Sequence, residues 1–201
     1  MVLLAWVISY FIGSISFSYL ITKKIAGIDI RSQGSGNMGA TNTLRVLGKG
    51  PGIAVLVLDA TKGLLAMGTT HLLTGGDPLA YAVSGLFAIA GHNWPIFFGF
   101  RGGKGIATTL GVALGFSPLA FLIGGIAAVI TIMITRYVSL GSLILVTILP
   151  IVIFVLDKPI AFWWTSLVLT VFAYIRHHNN IRNLLAGTER KLGDKTNRKL
   201  G

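Results

Sequence analysis

The stretch LGSLILVTILPIVIFVL, residues 140–156, contains no charged side chain and decides the fold class. A helix needs about 20 mainly apolar residues to cross the hydrocarbon core of a bilayer, so this stretch predicts a transmembrane helix. The rest of the chain is similar, because 53% of its 201 residues are hydrophobic and only 11% are charged. Soluble domains average about 25% charged residues. The composition therefore predicts an integral membrane protein and excludes a soluble domain.

Further apolar runs extend this interpretation to the whole chain. We predict an all-α transmembrane helical bundle with seven spans, forming one domain over residues 1–201. The fourth run is short, which predicts a tilted, half-buried or re-entrant segment; the competing count is five spans with a helical hairpin inside the protein. The runs cover residues 1–22, 51–73, 79–98, 106–117, 119–135, 140–156 and 160–175.

Basic residues are distributed unevenly between the connecting segments. The segments after the first, third, fifth and seventh runs are rich in lysine and arginine, whereas the other three together contain one basic residue, Lys158. Cytoplasmic loops carry such an excess of basic residues, so we expect the N-terminus outside and the C-terminus in the cytoplasm. The net charge of +11 then reflects these loops and anionic ligands or lipid headgroups. No nucleic-acid partner is expected, and the absence of cysteine excludes disulfides and thiolate metal sites.

This topology brings four polar segments to the cytoplasmic face. RSQGSGNMGATNTLR (31–45) offers the neutral donors Ser35, Asn37, Thr41 and Asn42 and the cation Arg45. GHNWPIFFGFRGGKG (91–105) places Gly102, Gly103 and Lys104 at a turn that opens a helix, which suits phosphate binding. RYVSLGS (136–142) contributes Ser142, and YIRHHNNIRNLLAGTE (174–189) contributes His177 and Asn180. The structural alternatives are a flexible linker, a topogenic basic loop, serines bonded back to their helix and a solvated tail.

Two charged residues, Asp59 and Lys62, lie inside the second run. Their i, i+3 spacing places them on one helix face, where mutual pairing makes burial in lipid tolerable. We expect a structural pair that braces the bundle, with a functional role as the alternative.

The cytoplasmic polar segments contain almost no carboxylate, which argues against a site that needs several acidic metal ligands. No Gly-x-Ser-x-Gly nucleophile motif is present. The cations and neutral donors instead indicate a site that holds phosphate groups and stabilises negative charge at the membrane edge. A transporter or channel for phosphate-bearing anions, and a small structural or regulatory membrane subunit, remain as alternatives.

Five stretches in this order resemble the bacterial acyl-phosphate:glycerol-3-phosphate acyltransferases (the PlsY family). They are SGNMGATN (35–42) with Arg45, DATKG (59–63), GHNWPIFFGFRGGKGIAT (91–108), RYVSLGS (136–142) and RHHNNIRNLLAGTE (176–189). The resemblance implies transfer of an acyl group from acyl phosphate to the 1-hydroxyl of glycerol 3-phosphate. The products would be lysophosphatidic acid and inorganic phosphate, made at the cytoplasmic face of the bacterial inner membrane without a cofactor or metal. It leaves the acyl-chain preference and the oligomeric state open.

The polar segments and the resemblance together predict the site. The residues expected to be catalytic are Ser35, Arg45, Lys104 and His177. Those expected to bind substrate are Asn37, Thr41, Asn42, Gly102, Gly103, Ser142 and Asn180. In this hypothesis Lys104 and the backbone of residues 102–105 hold one phosphate, and Arg45 with His177 and Asn180 holds the other. The proton acceptor is either His177 or an oxygen of the acyl phosphate.

Overall fold

A computed structural model describes residues 1–194, and that part of the chain is helical without β-strands. The helices follow the predicted apolar runs, with short polar helices between and after them. Their bounds are α1 Val2–Ser14, α2 Phe17–Ala26, α3 Ala40–Leu47, α4 Lys49–Thr74, α5 Pro78–Asn93, α6 Ile106–Phe116, α7 Pro118–Thr135, α8 Val138–Val155, α9 Ile160–Arg176 and α10 His178–Leu185.

The first apolar run is broken rather than continuous. Ile15 and Ser16 are extended, and the Ser16 hydroxyl caps α2 by accepting a hydrogen bond from the Tyr19 N–H at 3.3 Å. The Ile15 carbonyl accepts a hydrogen bond from Lys62 Nζ at 2.7 Å instead of a helical N–H. Hydrophobicity does not reveal this break, because the carbonyl freed by it is satisfied by a residue distant in sequence.

The third run ends earlier than predicted. α5 stops at Asn93, whereas the apolar run continues to residue 98. The physical reason is Pro95, which has no N–H and disfavours helical geometry at the preceding Trp94. The remaining residues form a short 3₁₀ turn, Ile96–Phe98.

α6 lies at the centre of the bundle. Its Val112, Ala113 and Phe116 are buried in a core that includes Met67 of α4 and Leu149 of α8. A side chain at Gly111 of α6 would meet the backbone oxygen of Ala60 at 2.0 Å, so glycine allows α4 and α6 to touch. With 11 residues, α6 is too short to cross a bilayer alone.

Large apolar side chains cover the outside of the bundle. Ile126 and Met133 of α7, for example, are 57% and 76% exposed. Exposed apolar surface on this scale belongs in contact with lipid. Among residues 1–194, four segments are long and apolar enough to cross a membrane: α1 and α2 taken together (Val2–Ala26), α4 (Lys49–Thr74), α7 (Pro118–Thr135) and α8 (Val138–Val155).

Candidate active site

A cavity of about 650 Å³ lies between α3, α4, α6, α7, α8 and the segment that follows α9. One end, here called the polar end, is lined by charged and amide side chains. The other, here called the apolar arm, is lined by Ile53 and Leu56 of α4, Leu110 of α6, and Leu122, Ile126 and Val129 of α7. The cavity therefore joins two chemically different environments, as a site for an amphiphilic molecule requires.

The structure brings all four polar segments to this cavity. Arg45 and Lys104, which lie far apart in sequence, line the same polar end. Nine of the residues predicted to form the site line the cavity: Ser35, Asn37, Thr41, Asn42, Arg45, Lys104, Ser142, His177 and Asn180. Gly102 and Gly103, also predicted, do not line it.

Arg45 is a half-buried cation on α3. Within residues 1–194 its side chain forms no hydrogen bond and no ion pair. Burial lowers the pKa of Arg45, and the positive charge of Arg190 adds to the effect. Arginine remains protonated despite such a shift, so Arg45 presents its donors to the cavity without an acceptor from the part of the chain that the structure describes.

Lys104 reaches the cavity from the turn before α6 and donates a hydrogen bond to Asn180 Oδ1. Burial is the main cause that lowers its pKa to about 8; Glu189 opposes the shift, whereas Arg45 and Arg176 add to it. The polar end therefore holds two cations, and the direct hydrogen-bond partner of Lys104 is a neutral amide. Two cations that repel each other in a desolvated place favour an anion between them.

Glu189 is a site residue that we did not predict. Its Oε1 accepts hydrogen bonds from Asn180 Nδ2 and from the Ser139 hydroxyl, both at 2.7 Å, and the residue is buried against the cavity. It fixes the amide of Asn180 so that the Oδ1 atom faces Lys104. The sequence did contain an indication of this role, because the chain has only 6 acidic residues and this one lies within the fourth polar segment.

His177 is 3% exposed and lies between α9 and α10. Its Nδ1 lies 2.8 Å from the Ala173 carbonyl oxygen, which can only accept, so Nδ1 carries the proton. Burial and the positive charge of Lys104 lower the pKa of His177 to about 4. At neutral pH the ring is therefore neutral, and Nε2 has a free lone pair.

Asn42 has a different role from the one predicted. Its Oδ1 accepts from the Ser35 N–H at 2.9 Å, and its Nδ2 donates to the carbonyls of Gln33 and Asn37, both at 3.0 Å. These bonds use its amide to shape the loop before α3. Asn42 therefore positions the predicted residues Ser35 and Asn37, rather than offering free donors to a substrate.

Gly102 and Gly103 also differ from the prediction. The Gly103 N–H donates to the His92 carbonyl at 3.0 Å, so it is not free for phosphate. The carbonyls of both glycines accept from Arg176, at 2.7 Å for Gly103 and 3.1 Å for Gly102. A side chain at Gly102 would meet the His92 oxygen at 2.1 Å. These glycines are needed for close packing that places Lys104.

The start of α6 contributes backbone donors instead. Gly105 precedes the helix in a left-handed conformation, and Gly105, Ile106 and Ala107 line the cavity. Across the described chain, no side chain caps this end of α6. Helix N-termini favour anions because their first N–H groups are unpaired and the helix dipole is positive there.

Ser142 lines the cavity with a restricted hydroxyl. Its Oγ donates to the Val138 carbonyl at 2.9 Å, which is the back-bonded arrangement expected as the structural alternative for this segment. The oxygen remains able to accept one hydrogen bond. Thr41 has no side-chain hydrogen bond within residues 1–194, so its hydroxyl is available to a ligand.

The apolar arm opens sideways. α6 packs against both α4 and α7 and forms its floor, while α4 and α7, which make at most a marginal contact with each other, form its walls. Ile53, Leu122, Ile126 and Val129 remain about half exposed. Because the exposed surface of the bundle is apolar, this opening faces lipid, and a hydrocarbon chain could reach the polar end without crossing water.

Asp59, Lys62 and His92 form a buried polar cluster at the edge of the cavity, which Asp59 and His92 help to line. Lys62 Nζ lies 2.7 Å from Asp59 Oδ1 and 2.9 Å from His92 Nδ1, and both charged side chains are at most 2% exposed. The expected pairing of Asp59 with Lys62 is confirmed, and the structural role expected for the pair stays a prediction. Within residues 1–194, no group of three His, Asp or Glu residues is arranged to hold a metal ion.

Comparison with known proteins agrees with this geometry. A family model described as glycerol-3-phosphate acyltransferase matches residues 3–187. The chain belongs to that family. A glycerol-3-phosphate acyltransferase of Halalkalibacterium halodurans is 50% identical over 200 residues, with 96% of this chain and 97% of the relative covered. Another, of Shouchella clausii, is 51% identical over 191 residues, with 92% and 93% covered.

Solved structures of the acyltransferase family share the fold. A crystal structure of PlsY, an integral membrane glycerol 3-phosphate acyltransferase, in its glycerol 3-phosphate form has a TM-score of 0.90 and 37% identity, and 96% of each chain is covered. The lysophosphatidic acid form of PlsY has a TM-score of 0.87 and 35% identity, with 96% and 95% covered. The resemblance seen in the motifs is confirmed, as is a multi-pass helical membrane fold.

Proposed function

We propose that this protein transfers an acyl group from acyl phosphate to the 1-hydroxyl of glycerol 3-phosphate, forming lysophosphatidic acid and inorganic phosphate. One observation carries the proposal: a single cavity joins Arg45, Lys104 and the start of α6 to an apolar arm that opens towards lipid. The cations suit phosphate groups, and the arm suits a fatty acyl chain. The printed names of the relatives and the two PlsY forms support glycerol 3-phosphate as acceptor and lysophosphatidic acid as product.

The polar end would bind two phosphates at once. Lys104 and the N-terminus of α6 would hold one, and Arg45 would hold the other, with Ser35, Asn37 and Thr41 as neutral donors. Fixing both substrates in one orientation removes much of the entropic barrier. The cations would also stabilise the negative charge that develops on the acyl carbonyl and the leaving phosphate.

The acyl transfer would then replace one bond of the acyl carbon with another. The 1-hydroxyl oxygen attacks the acyl carbon, an ester bond forms, and the carbon–oxygen bond to phosphate breaks. The hydroxyl proton needs an acceptor, and His177, with a pKa of about 4, is a weak one. A phosphate oxygen, whose second pKa is about 6, accepts the proton more readily. We therefore assign the proton to the departing phosphate.

A His177→Ala variant separates these two acceptors. With phosphate as acceptor, we expect kcat within about threefold of wild type and a raised KM, because the variant loses only a binding contact. A fall of about 100-fold or more in kcat, at unchanged KM, would identify His177 as the base.

We also propose the finer topology, with seven spans, the N-terminus outside, and the site at the cytoplasmic face of a bacterial inner membrane. α5 and α9 would supply two further crossing segments, and α6, which is too short to cross alone, would complete its crossing together with residues 99–105 that precede it. The basic loops support this orientation. Because the chain has no native cysteine, single cysteines at 24 and 158 can be labelled from each side of sealed vesicles. Labelling of both positions from one side would refute the topology.

The decisive test of the reaction uses purified protein in detergent micelles or vesicles. Palmitoyl phosphate and glycerol 3-phosphate should give equal amounts of inorganic phosphate and lysophosphatidic acid. Palmitoyl-CoA in place of the acyl phosphate should give neither product. Product formation from palmitoyl-CoA alone would overturn the proposed donor, and the absence of acyl transfer from either would overturn the reaction.

A further inference from the structure

Arg136 holds the chain beyond α10 in an unusual way. It ends α7 in a left-handed conformation, with φ of 63°, which is uncommon for a residue other than glycine. Its carbonyl accepts a hydrogen bond from the Leu192 N–H at 2.7 Å, and its Nη2 donates to the Leu192 carbonyl at 2.8 Å. Arg136 therefore binds both polar groups of one distant residue.

The segment held in this way, residues 189–194, is here called the strap. It follows the turn after α10 and lies over the polar end of the cavity, which Glu189 and Leu192 help to line. Its Asp194 carboxylate is also 4.0 Å from the Arg136 guanidinium. The strap is thus fixed to the bundle at two places: Glu189 at Ser139 and Asn180, and Leu192 at Arg136.

A continuous series of hydrogen bonds leads from the strap to the functional cation. Glu189 accepts from Asn180, and Asn180 in turn accepts from Lys104. If the strap detached at Leu192, Glu189 would lie on a free end and would hold Asn180 less firmly. The Lys104 ammonium would then lose its fixed position, and positioning is a major part of what such a site supplies.

We propose that Arg136 is a positioning residue, which keeps Lys104 in place by fixing the strap over the polar end. In its catalytic aspect this inference rests on the proposed function. The guanidinium is needed because it presents several donors in a planar fork. This role goes beyond that of a cytoplasmic charge that orients the membrane helices.

Substitution by glycine separates this role from that of a helix terminator. Glycine adopts the left-handed conformation without strain, so Arg136→Gly should preserve or improve the end of α7. It removes the hydrogen bonds from the side chain to the strap. Arg136→Lys retains the charge and one donor. The Arg136 side chain is 56% exposed, so these changes leave no buried group unpaired.

The first measurement needs no catalysis. Trypsin cleavage after Arg190 or Lys191, followed by intact mass, reports release of the strap. We expect cleavage about tenfold faster in Arg136→Gly than in wild type and an intermediate rate in Arg136→Lys, since hydrogen bonds to charged groups are worth about 1.5 kcal/mol or more. The control is Lys24→Ala, which removes an exposed basic residue distant in sequence from the strap; its cleavage rate should equal that of wild type.

The second measurement is kinetic. We expect Arg136→Gly to lower kcat/KM for glycerol 3-phosphate about tenfold, chiefly through KM, at an unchanged thermal midpoint. A stop after Lys191 removes the partner of Arg136 and should have the same effect, whereas a stop after Asp194 should have none. Combining Arg136→Gly with the stop after Lys191 should add nothing, because both changes break the same contact.

Each outcome bears on a different claim. Wild-type cleavage and wild-type kinetics in Arg136→Gly would overturn the inference, as would additive effects in the combined variant. Faster cleavage with unchanged KM and kcat would show a strap without a positioning role, which also overturns it. Failure of wild type to transfer acyl groups would overturn the proposed function alone, and the cleavage rates would still test the strap.

Discussion

Two lysines in this protein lie in low-dielectric surroundings, but their ammonium groups have different partners. Lys62, inside the bundle, has three partners: the Asp59 carboxylate at 2.7 Å, the His92 ring at 2.9 Å and the Ile15 carbonyl at 2.7 Å. Lys104, at the polar end of the cavity, donates to the neutral amide of Asn180 and lies near the cation Arg45.

The difference lies in what compensates each charge. Lys62 is neutralised by an adjacent carboxylate, so it needs nothing from outside the protein. The pKa of Lys104 falls to about 8 because burial is incompletely compensated. Lys104 is thus stabilised most when an anion binds. Under the proposed function, Lys62 would be the structural cation and Lys104 the functional one, and their partners rather than their burial would distinguish them.

The largest expected effect is on turnover. Lys104→Ala should lower kcat/KM at least about 1000-fold, because it removes the cation that neutralises charge in the transition state. The thermal midpoint should change little, since no carboxylate is directly paired with Lys104. The measurement is phosphate release beside a melting curve in detergent. Substantial turnover by the alanine variant would contradict the distinction drawn between Lys62 and Lys104, because Lys104 would then not be the functional cation.

The complementary change should affect folding. Lys62→Met leaves the Asp59 carboxylate buried without its partner, which costs about 3–5 kcal/mol. The expected result is a much lower thermal midpoint and a smaller folded yield. Asp59→Asn in the same chain should restore part of the midpoint, because no charge then remains unpaired. A stable Lys62→Met protein with low kcat would instead favour the functional role left open for this pair.

The pH dependence should identify Lys104 as the titrating group. Its ammonium, with a pKa of about 8, is charged below pH 8 and neutral above it. We expect kcat/KM to fall about tenfold for each pH unit above 8, as the free enzyme loses the cation. Lys104→Arg should remove this fall, because arginine stays protonated throughout this range. A basic limb that persists in the arginine variant would assign it to another group.

The smallest effect is expected at Ser142. Its hydroxyl proton is already donated to Val138, so Ser142→Ala removes a single acceptor and should lower kcat/KM less than about threefold. Ser139→Ala, one helical turn away, should cost about tenfold because it removes a donor to Glu189. Equal effects of the two changes, measured by initial rates, would contradict the role given to Glu189.

The sequence predicted the helices and the grouping of nine polar residues around one cavity, because both depend on composition and short spacing. Long apolar runs predicted where the helices lie. The distribution of basic residues predicted that Arg45 and Lys104 lie on the same side of the membrane, and both line one cavity. The i, i+3 spacing of Asp59 and Lys62 predicted their pairing, which is confirmed. The spacing of apolar residues and the distribution of charge along the chain are enough to predict these features.

What was missed depends on contacts between distant segments. Asn42 and Gly103 look like ligand-binding residues in their motifs, yet their polar groups bond to the loop before α3 and to His92. The break at Ile15 depends on Lys62, which lies on another helix. Glu189 matters through Ser139, 50 residues away. No local pattern specifies such pairs.

The half-open apolar arm has a consequence for the membrane itself. A methylene group gains about 0.8 kcal/mol on leaving water, but it gains that amount equally in the arm or among lipid tails. Acyl-chain carbons beyond the arm would extend into the bilayer, so we expect that the arm does not select acyl chains by their length. Under the proposed reaction, the fatty acids placed on the glycerol backbone would mirror whichever donors the cell supplies.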